Sequence, residues 1–379
     1  MTLPKYENIN LSNLELKWGY YVPCLIEKYR PDIKIIGIRQ CKIENSDEQG
    51  NVKDRHREID YSSLPAQIDK ALLQQKKVAL LINDELIFSE KNDQLTEILN
   101  YYKDKSVYLM SEFDQERINM HYRTVHGLSC KILEFPWICF NECLVYDKIK
   151  QFYNTLNSYQ TVNNIDNKHT FFTLVGRYES FRKTLLTTLI DRGLDRHGLL
   201  TIQNNTVELY KDLEEFVTVE PYYPYNRVPI QHHEKMGAQF LENDIWLSCN
   251  TQNFLYIEQT YENYPLAIIP ETCQYDYFPT EKSFWPALLG KLFLVVGSRG
   301  CMQNIQRFYD INMSEFLNLE FDSINGIDTK IAVMIDQNRD FILNSKKIYT
   351  AYFDKIQAAR NTITPNLYKF LKGQLKKVL

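Results

Sequence analysis

Short, almost wholly apolar runs alternate along this chain with segments whose apolar residues recur at helical spacing, and this alternation constrains the fold more than any other feature. Val78-Ala79-Leu80-Leu81-Ile82 and Leu292-Phe293-Leu294-Val295-Val296 carry no polar residue, so each has to be covered on both faces. Strands of that kind belong to parallel sheets flanked by helices, whereas a strand with one wet face alternates. Leu64, Ile68, Leu72 and Leu73 stand at helical spacing before the first of these runs. Leu95, Ile98, Leu99 and Tyr102 do the same before a strand at Val107-Tyr108-Leu109-Met110. Helix then strand, repeated, is the pattern of an α/β protein.

The second half restarts the pattern. Thr170–Arg177 reads as a strand and tight turn, followed by a helix from about Glu179 to Asp191 that Gly193 closes. Leu199–Ile202, Leu266–Thr272 and the run 292–297 give further strands, the second ending at the carboxylate of Glu271. Tyr277–Trp285 is expected as a loop that opens a helix, and Cys301–Phe308 as another helix. Long helices are expected from about Thr329 to Asn361. Val219–Tyr225, aromatic and broken by prolines, is expected as a connecting loop.

At 379 residues the chain exceeds the roughly 250–300 residues at which single cores stop growing, so two domains are expected. The polar, Asn-rich stretch 158–168 is the expected linker. It separates residues 1–160 from 169–350, with a C-terminal helical segment at 351–379. Within the first half, residues 1–31 read as an irregular arm and Glu44–Asp60, which carries Gly50-Asn51, as an exposed loop or hairpin. Ile132–Phe140 reads as a strand, and a helix is expected from Asn141 through Asn157.

Hydrophobic content of 44% and charged content of 24% are those of a soluble globular protein. A formal net charge of −4 supplies no global attraction to nucleic acid or to an anionic membrane. The eight cysteines show no paired C-x-x-C spacing, so zinc is not expected and the thiols are expected to be reduced. No apolar run approaches the roughly 20 residues of a membrane span, and a cytoplasmic protein is expected.

Several residues could carry chemistry. Arg177, Arg182 and Lys183 bracket the start of a helix, where cations oppose the macrodipole. Either a bound anion such as a diphosphate offsets them, or Glu179 pairs with them on a solvated surface. Glu281-Lys282, at the start of a later helix, pairs a carboxylate able to accept both hydroxyls of a ribose with a compact charge for phosphate. Dipeptides of this kind are also common on solvated helix starts. Open α/β sheets bind ligands beyond the carboxyl ends of their strands. In the first half that rule selects Asp84 and Glu85 after one strand, and Glu112 and Asp114 after the next, the last two being the preferred general-base candidates. His121 and His126 are close enough in sequence to share a site. His232 and His233 are adjacent and point apart, which argues against a metal site. Tyr223, Tyr225 and Arg227 could stack on a base of a nucleotide or an acceptor, or simply pack a long loop.

The order of these elements resembles glycosyltransferase-like proteins of bacteria, phages and large viruses. The shared features are the strand and Arg-bearing turn at Thr170–Arg177 and the Gly193-Leu194 and Gly198-Leu199 junctions. They continue with Glu271-Thr272, then Phe278-Pro279-Thr280-Glu281-Lys282-Ser283-Phe284, then Phe293-Leu294-Val295-Val296-Gly297-Ser298-Arg299-Gly300. The Thr-Glu-Lys element is similar to the donor-site motif of α1,3-fucosyltransferases. The resemblance covers about residues 169–330 and implies a GT-B-like architecture, two Rossmann-type domains facing a central cleft. It also implies a nucleotide-sugar donor, with Glu281 on the ribose, Lys282 on the diphosphate and Arg182 or Arg177 on phosphate. Glu271 and Ser298 complete the expected donor set. The chain departs from the pattern at Phe308–Met313, and Lys330 stands where an arginine is common.

The implied activity is sugar transfer to a hydroxyl acceptor, either a glycan or a hydroxymethylated base of phage DNA, without a metal or other cofactor. The alternative is a non-catalytic nucleotide-sugar-binding or structural protein on the same scaffold. The terminal segment 365–379 sets Leu367, Phe370, Leu371 and Leu375 on one helical face and Lys369, Lys372, Lys376 and Lys377 largely elsewhere. It is expected to dock on the core, with contact to phosphates or a membrane surface as the other reading.

Overall fold

A computed structural model describes residues 26–27, 30–38, 40–46, 52–59, 61–82, 93–111, 131–134, 169–173, 175, 179–203, 219–222, 264–271 and 281–376. They form two compact units. One contains the described residues through Glu134 together with 369–376, and the other contains residues 169–368.

In the first unit, β1 (Ile33–Ile38) is followed by an antiparallel ribbon of β2 (Gln40–Ser46) and β3 (Val52–Ile59), which settles the loop-or-hairpin choice at 44–60 as a hairpin. Helix α1 (Leu64–Leu73), β4 (Lys77–Ile82), α2 (Asp93–Tyr101), β5 (Val107–Ser111) and β6 (Lys131–Glu134) follow. Strands β1, β4, β5 and β6 lie side by side in that order, all parallel. Val78 to Leu81 are buried, as an apolar central strand requires.

One expectation for α1 fails. Leu64, Ile68 and Ala71 are buried, but Leu73 is 84% exposed. At 3.6 residues per turn, a position nine residues past Leu64 lies roughly 180° around the helix, and Ala71 takes the place assigned to it. Just past α2, Tyr102 is buried, with its hydroxyl 3.2 Å from the Pro65 carbonyl and 3.0 Å from Asp69 Oδ1. Burial, and then the Asp69 carboxylate, push this phenol up to about 12. Tyr102→Phe should therefore cost about 1 kcal/mol at neutral pH. The wild type should also lose stability as pH rises from the ordinary phenol value of 10 toward about 12, and the variant should lack that loss. Urea midpoints at pH 8 and pH 11 measure both effects, and parallel falls in the two proteins would refute the assignment.

The second unit contains β7 (Phe171–Thr173), α3 (Ser180–Asp191), β8 (Gly198–Gln203), β9 (Val219–Tyr222), β10 (Leu266–Pro270), α4 (Glu281–Leu288), β11 (Leu292–Val296) and α5 (Cys301–Gln306). Its sheet order is β11-β10-β7-β8-β9, and every adjacent pair is parallel. Counted along the chain this is the order 5-4-1-2-3, a doubly wound Rossmann-type arrangement whose direction reverses between β7 and β10. β10 and β11 are buried along their whole length.

Val219–Tyr222, expected as loop, is instead the edge strand, with Pro221 opposite Ile202. An edge position accommodates proline because its missing N–H is not needed by a further strand. Gly193 closes α3 with φ +66°, the left-handed conformation that a C-terminal glycine supplies. Gly198 is required for a different reason: a Cβ there would lie 2.2 Å from the Phe171 ring.

The long helices expected from 329 to 361 are broken into α6 (Ile327–Gln337), α7 (Arg339–Leu343), α8 (Ser345–Ala351) and α9 (Phe353–Arg360), with single-residue breaks at Asn338, Asn344 and Tyr352. Two of the breaks have a visible cause, since asparagine side chains compete for backbone groups. Asn338 is buried; it donates from Nδ2 to the carbonyls of Met334 and Asn318 and accepts the Asn318 N–H. Asn344 donates to the Asp340 carbonyl at 2.9 Å. α6 packs on α3, where Arg192 forms a two-point pair with Asp336 at 2.8 and 3.2 Å. In α10 (Ile363–Lys376), Leu367, Leu371 and Leu375 are buried, while Lys369, Lys372 and Lys376 are exposed. Its end is tied within the first unit by Arg30, whose Nη1 donates to the Leu375 carbonyl at 3.1 Å.

Candidate functional site

The reversal of strand order between β7 and β10 defines where a ligand would be expected. At such a switch point the chain leaves neighbouring strands in opposite directions, opening a crevice beyond their carboxyl ends. β7 and β10 are paired in register, Phe171 with Leu266 and Thr173 with Ile268. β11 lies on the far side of β10, with Val296 level with Pro270. Residues of β7 and β11, more than a hundred positions apart in sequence, thus come to one edge of one sheet.

On the β7 side, Arg182 is the third residue of α3 and is only 3% exposed, with its guanidinium carbon 5.5 Å from the centre of the Phe181 ring. A buried cation in the first turn runs against the helix macrodipole, which an anion placed beyond that turn would offset. On the β10 side, Glu271 follows the strand directly and is 1% exposed. Its N–H donates to the Val296 carbonyl at 2.7 Å, extending the β10–β11 ladder by one residue. Its carboxylate accepts a hydrogen bond from Ser283 Oγ.

Ser283 is the third residue of α4 and is fully buried, so this bond fixes the first turn of α4, and with it the backbone of Glu281 and Lys282, at the end of β10. Pro286, inside α4, has no N–H to give to the Lys282 carbonyl one turn earlier. Ser283→Ala should leave a buried carboxylate oxygen without this donor and cost about 1–3 kcal/mol. A guanidinium chloride titration measures it, and a shift below about 0.5 kcal/mol, within the range of neutral surface changes, would show that Ser283 does not hold the helix start.

The β11–α5 turn closes the row. A Cβ at Gly297 would lie 3.2 Å from the Glu271 Cβ and 3.1 Å from Cys301 Sγ, so glycine lets the two strand ends approach closely. Lys330 of α6 is 1% exposed and directs its ammonium at three carbonyls, those of Gly297 (3.1 Å), Ser298 (3.0 Å) and Asp322 (3.4 Å). Asp322 is buried beside it, and its carboxylate accepts the N–H groups of Met302 and Gln303 at 3.2 and 3.1 Å. The start of α5 is thereby capped from within the protein. Burial pushes the Asp322 carboxyl up, opposed by these N–H groups and by Lys330. Ser298 is 2% exposed, and its Oγ has no hydrogen-bond partner among the described residues.

Of the residues selected from sequence, Glu271 and Ser298 therefore stand at the carboxyl ends of adjacent strands, Arg182 lies in the first turn of the helix that follows β7, and Glu281 and Lys282 open the helix tied to Glu271. The side chains of Glu281 and Lys282 lie outside the described residues, as do Arg177, Glu112, Asp114, Tyr223, Tyr225 and Arg227. Asp84, Glu85, His121, His126, His232 and His233 do so as well.

Sequence reasoning missed four residues. In the sequence Ser283 stands out only as part of a motif, and Lys330 only as a departure from an arginine. Asp322 gave no signal, because its partners are backbone groups twenty residues earlier. Glu134, buried at the carboxyl end of β6 and level with Ser111 of β5, was absorbed into the expected strand 132–140. Among the described residues no cluster of three or more histidine, cysteine or carboxylate side chains could hold a metal ion, and no helix is long and apolar enough to cross a membrane.

No family model matches the chain, and no curated protein matches it. Among solved structures, it is similar to an alpha,alpha-trehalose-phosphate synthase (UDP-forming) from Burkholderia xenovorans in complex with glucose-6-phosphate. The identity is 10% and the TM-score 0.35, with 94% of this chain and 77% of that one covered. The alpha,alpha-trehalose 6-phosphate synthase of Burkholderia multivorans gives 9% identity, a TM-score of 0.35, and coverage of 94% and 76%. The wall teichoic acid polymerase TagF gives 13% identity, a TM-score of 0.26, and coverage of 94% and 85%.

Proposed function

We propose that the protein is a glycosyltransferase that binds the diphosphate of a nucleotide sugar at the switch point of its second unit. The observation that supports this reading is that Glu271 and Ser298 follow two adjacent strands, β10 and β11, with the Glu281-Lys282 helix start tied to Glu271 by Ser283, while Arg182 is buried in the first turn of the helix that follows the neighbouring strand β7. These are the positions that the sequence motifs assign to donor binding, and strand order selects the same edge independently.

In this reading Arg182 and Lys282 meet the diphosphate and stabilise the charge that grows on it as the glycosidic bond breaks. Electrostatic stabilisation of that kind acts through groups held in place before the reaction. Glu281 receives the ribose hydroxyls. Arg177 is a second phosphate contact, and Tyr223, Tyr225 and Arg227 belong to the acceptor or base contacts. Glu112 or Asp114, which follow β5 in the chain, supply the general base for the acceptor hydroxyl, and Glu134 is level with the end of the same strand. The acceptor is a glycan or a hydroxymethylated DNA base.

The test is a thermal-shift series of UDP, GDP, CDP and ADP with their sugar conjugates, with and without divalent cation. A ligand that binds only the folded state raises the midpoint by mass action. One nucleotide class should raise it in proportion to the logarithm of concentration. A flat response to every nucleotide would remove the donor site from the account.

A further inference from the structure

We propose that the β11–α5 turn is a phosphoryl-oxygen subsite whose donors are the N–H and Oγ of Ser298, and that Lys330 is the positioning residue that holds it. The proposal rests on the nucleotide-sugar reading above and specifies which side of the pocket receives phosphate oxygen through hydrogen bonds rather than through net charge.

The argument begins at Lys330. Its ammonium holds the carbonyl oxygens of Gly297 and Ser298 at 3.1 and 3.0 Å on one side of the turn. A trans peptide is planar, with C=O and N–H pointing opposite ways, and no peptide among the described residues is cis. Fixing those two carbonyls toward Lys330 therefore turns the N–H groups of Ser298 and Arg299 to the other side. The Asp322 carbonyl, 3.4 Å from the same ammonium and accepting the Gly300 N–H at 2.8 Å, locks the rest of the turn.

The ordinary anion site of such a turn, the first N–H groups of the following helix, is already taken by the Asp322 carboxylate. An anion at this edge is thus directed to the turn itself. The hydroxyl of Ser298 is a second sign of a ligand, because it is buried and has no hydrogen-bond partner among the described residues. Leaving such a group unmet is costly in a folded protein, and a phosphoryl oxygen or a water molecule would meet it. Arg299, next in the chain, is exposed, so the turn adjoins solvent.

Isothermal titration of the preferred nucleoside diphosphate and of its parent nucleoside, on the full chain, tests the assignment. Ser298→Ala should weaken diphosphate binding about tenfold or more while leaving the nucleoside unchanged, since a hydrogen bond to a charged group is lost. Lys330→Met, measured where its thermal midpoint shows it folded, should reduce the ratio of diphosphate to nucleoside affinity in the same way. A merely structural role for Lys330 would move both affinities together.

If the wild type binds diphosphate and Ser298→Ala leaves the ratio untouched, the hydroxyl meets only water and the subsite is wrong, while the donor-site reading stands. Equal losses for both ligands in both variants would also overturn the subsite. If the wild type binds no diphosphate at all, the subsite and the donor-site reading fall together.

Discussion

Replacement of Lys330 by methionine is expected to lower the unfolding free energy by about 3–5 kcal/mol, the range seen when one member of a buried charged group is removed. Methionine fills similar space, so the loss would come from interactions rather than from a cavity. Three carbonyls lose their shared donor, and the buried Asp322 carboxylate loses the cation that offsets its burial. Guanidinium chloride unfolding followed by circular dichroism measures the effect. A loss below about 1 kcal/mol would mean that the turn does not depend on the ammonium.

The same group makes a pH prediction with a definite sign. Burial raises the Asp322 carboxyl above its unfolded value, so the folded protein takes up that proton first as pH falls. The contribution to stability is therefore fully present below the unfolded value and is lost as pH rises through the folded one. Compared with Asp322→Asn, the wild type should gain stability on acidification from neutrality. Asp336, held below its usual range by Arg192, runs the other way and loses its contribution on acidification. A constant difference between wild type and Asp322→Asn from pH 7 to pH 4 would show that Asp322 does not titrate in this range.

The second large effect concerns turnover. Lys282→Ala is expected to reduce the rate of sugar transfer by about 10²–10³-fold, the scale associated with removing one donor that faces charge developed in the transition state. Its stability should change little by comparison, because Lys282 lies in the first turn of α4, which Ser283 ties to Glu271. A fall in affinity for donor with an unchanged maximal rate would place Lys282 in ground-state binding only. Retention of full activity would remove it from the site.

Much of the scaffold was legible in the chain because parallel strands buried on both faces leave an unmistakable record. Leu266–Pro270 and Leu292–Val296 could hardly be anything else, and Glu271 followed from the end of the first of them. Helix faces were legible wherever the stripe was continuous. Leu73 shows the limit, since hydrophobicity alone does not say on which side of the stripe a residue falls. The breaks at Asn338 and Asn344 could not be read because they depend on side-chain bonds to backbone groups, and Pro221 disguised an edge strand as a loop.

For the site, the motif Glu281-Lys282-Ser283 was visible, but the reason it sits where it does was not. That reason is a bond between Ser283 and a carboxylate twelve residues earlier, together with a strand order that only the fold reveals. The roles of Lys330 and Asp322 were invisible for the same cause. Their partners are carbonyls and amides, which every sequence has and no sequence marks.

The central claim, that the switch point of the second unit binds the leaving diphosphate of a sugar donor, is tested most directly by nucleoside diphosphate release. Wild type and Lys282→Ala should be compared with the donor class identified by thermal shift, across glycan and hydroxymethylated-DNA acceptors. The account predicts acceptor-dependent release by the wild type and a loss of about 10²–10³-fold in the variant. Release that is absent with every acceptor, or equal in the two proteins, would contradict it.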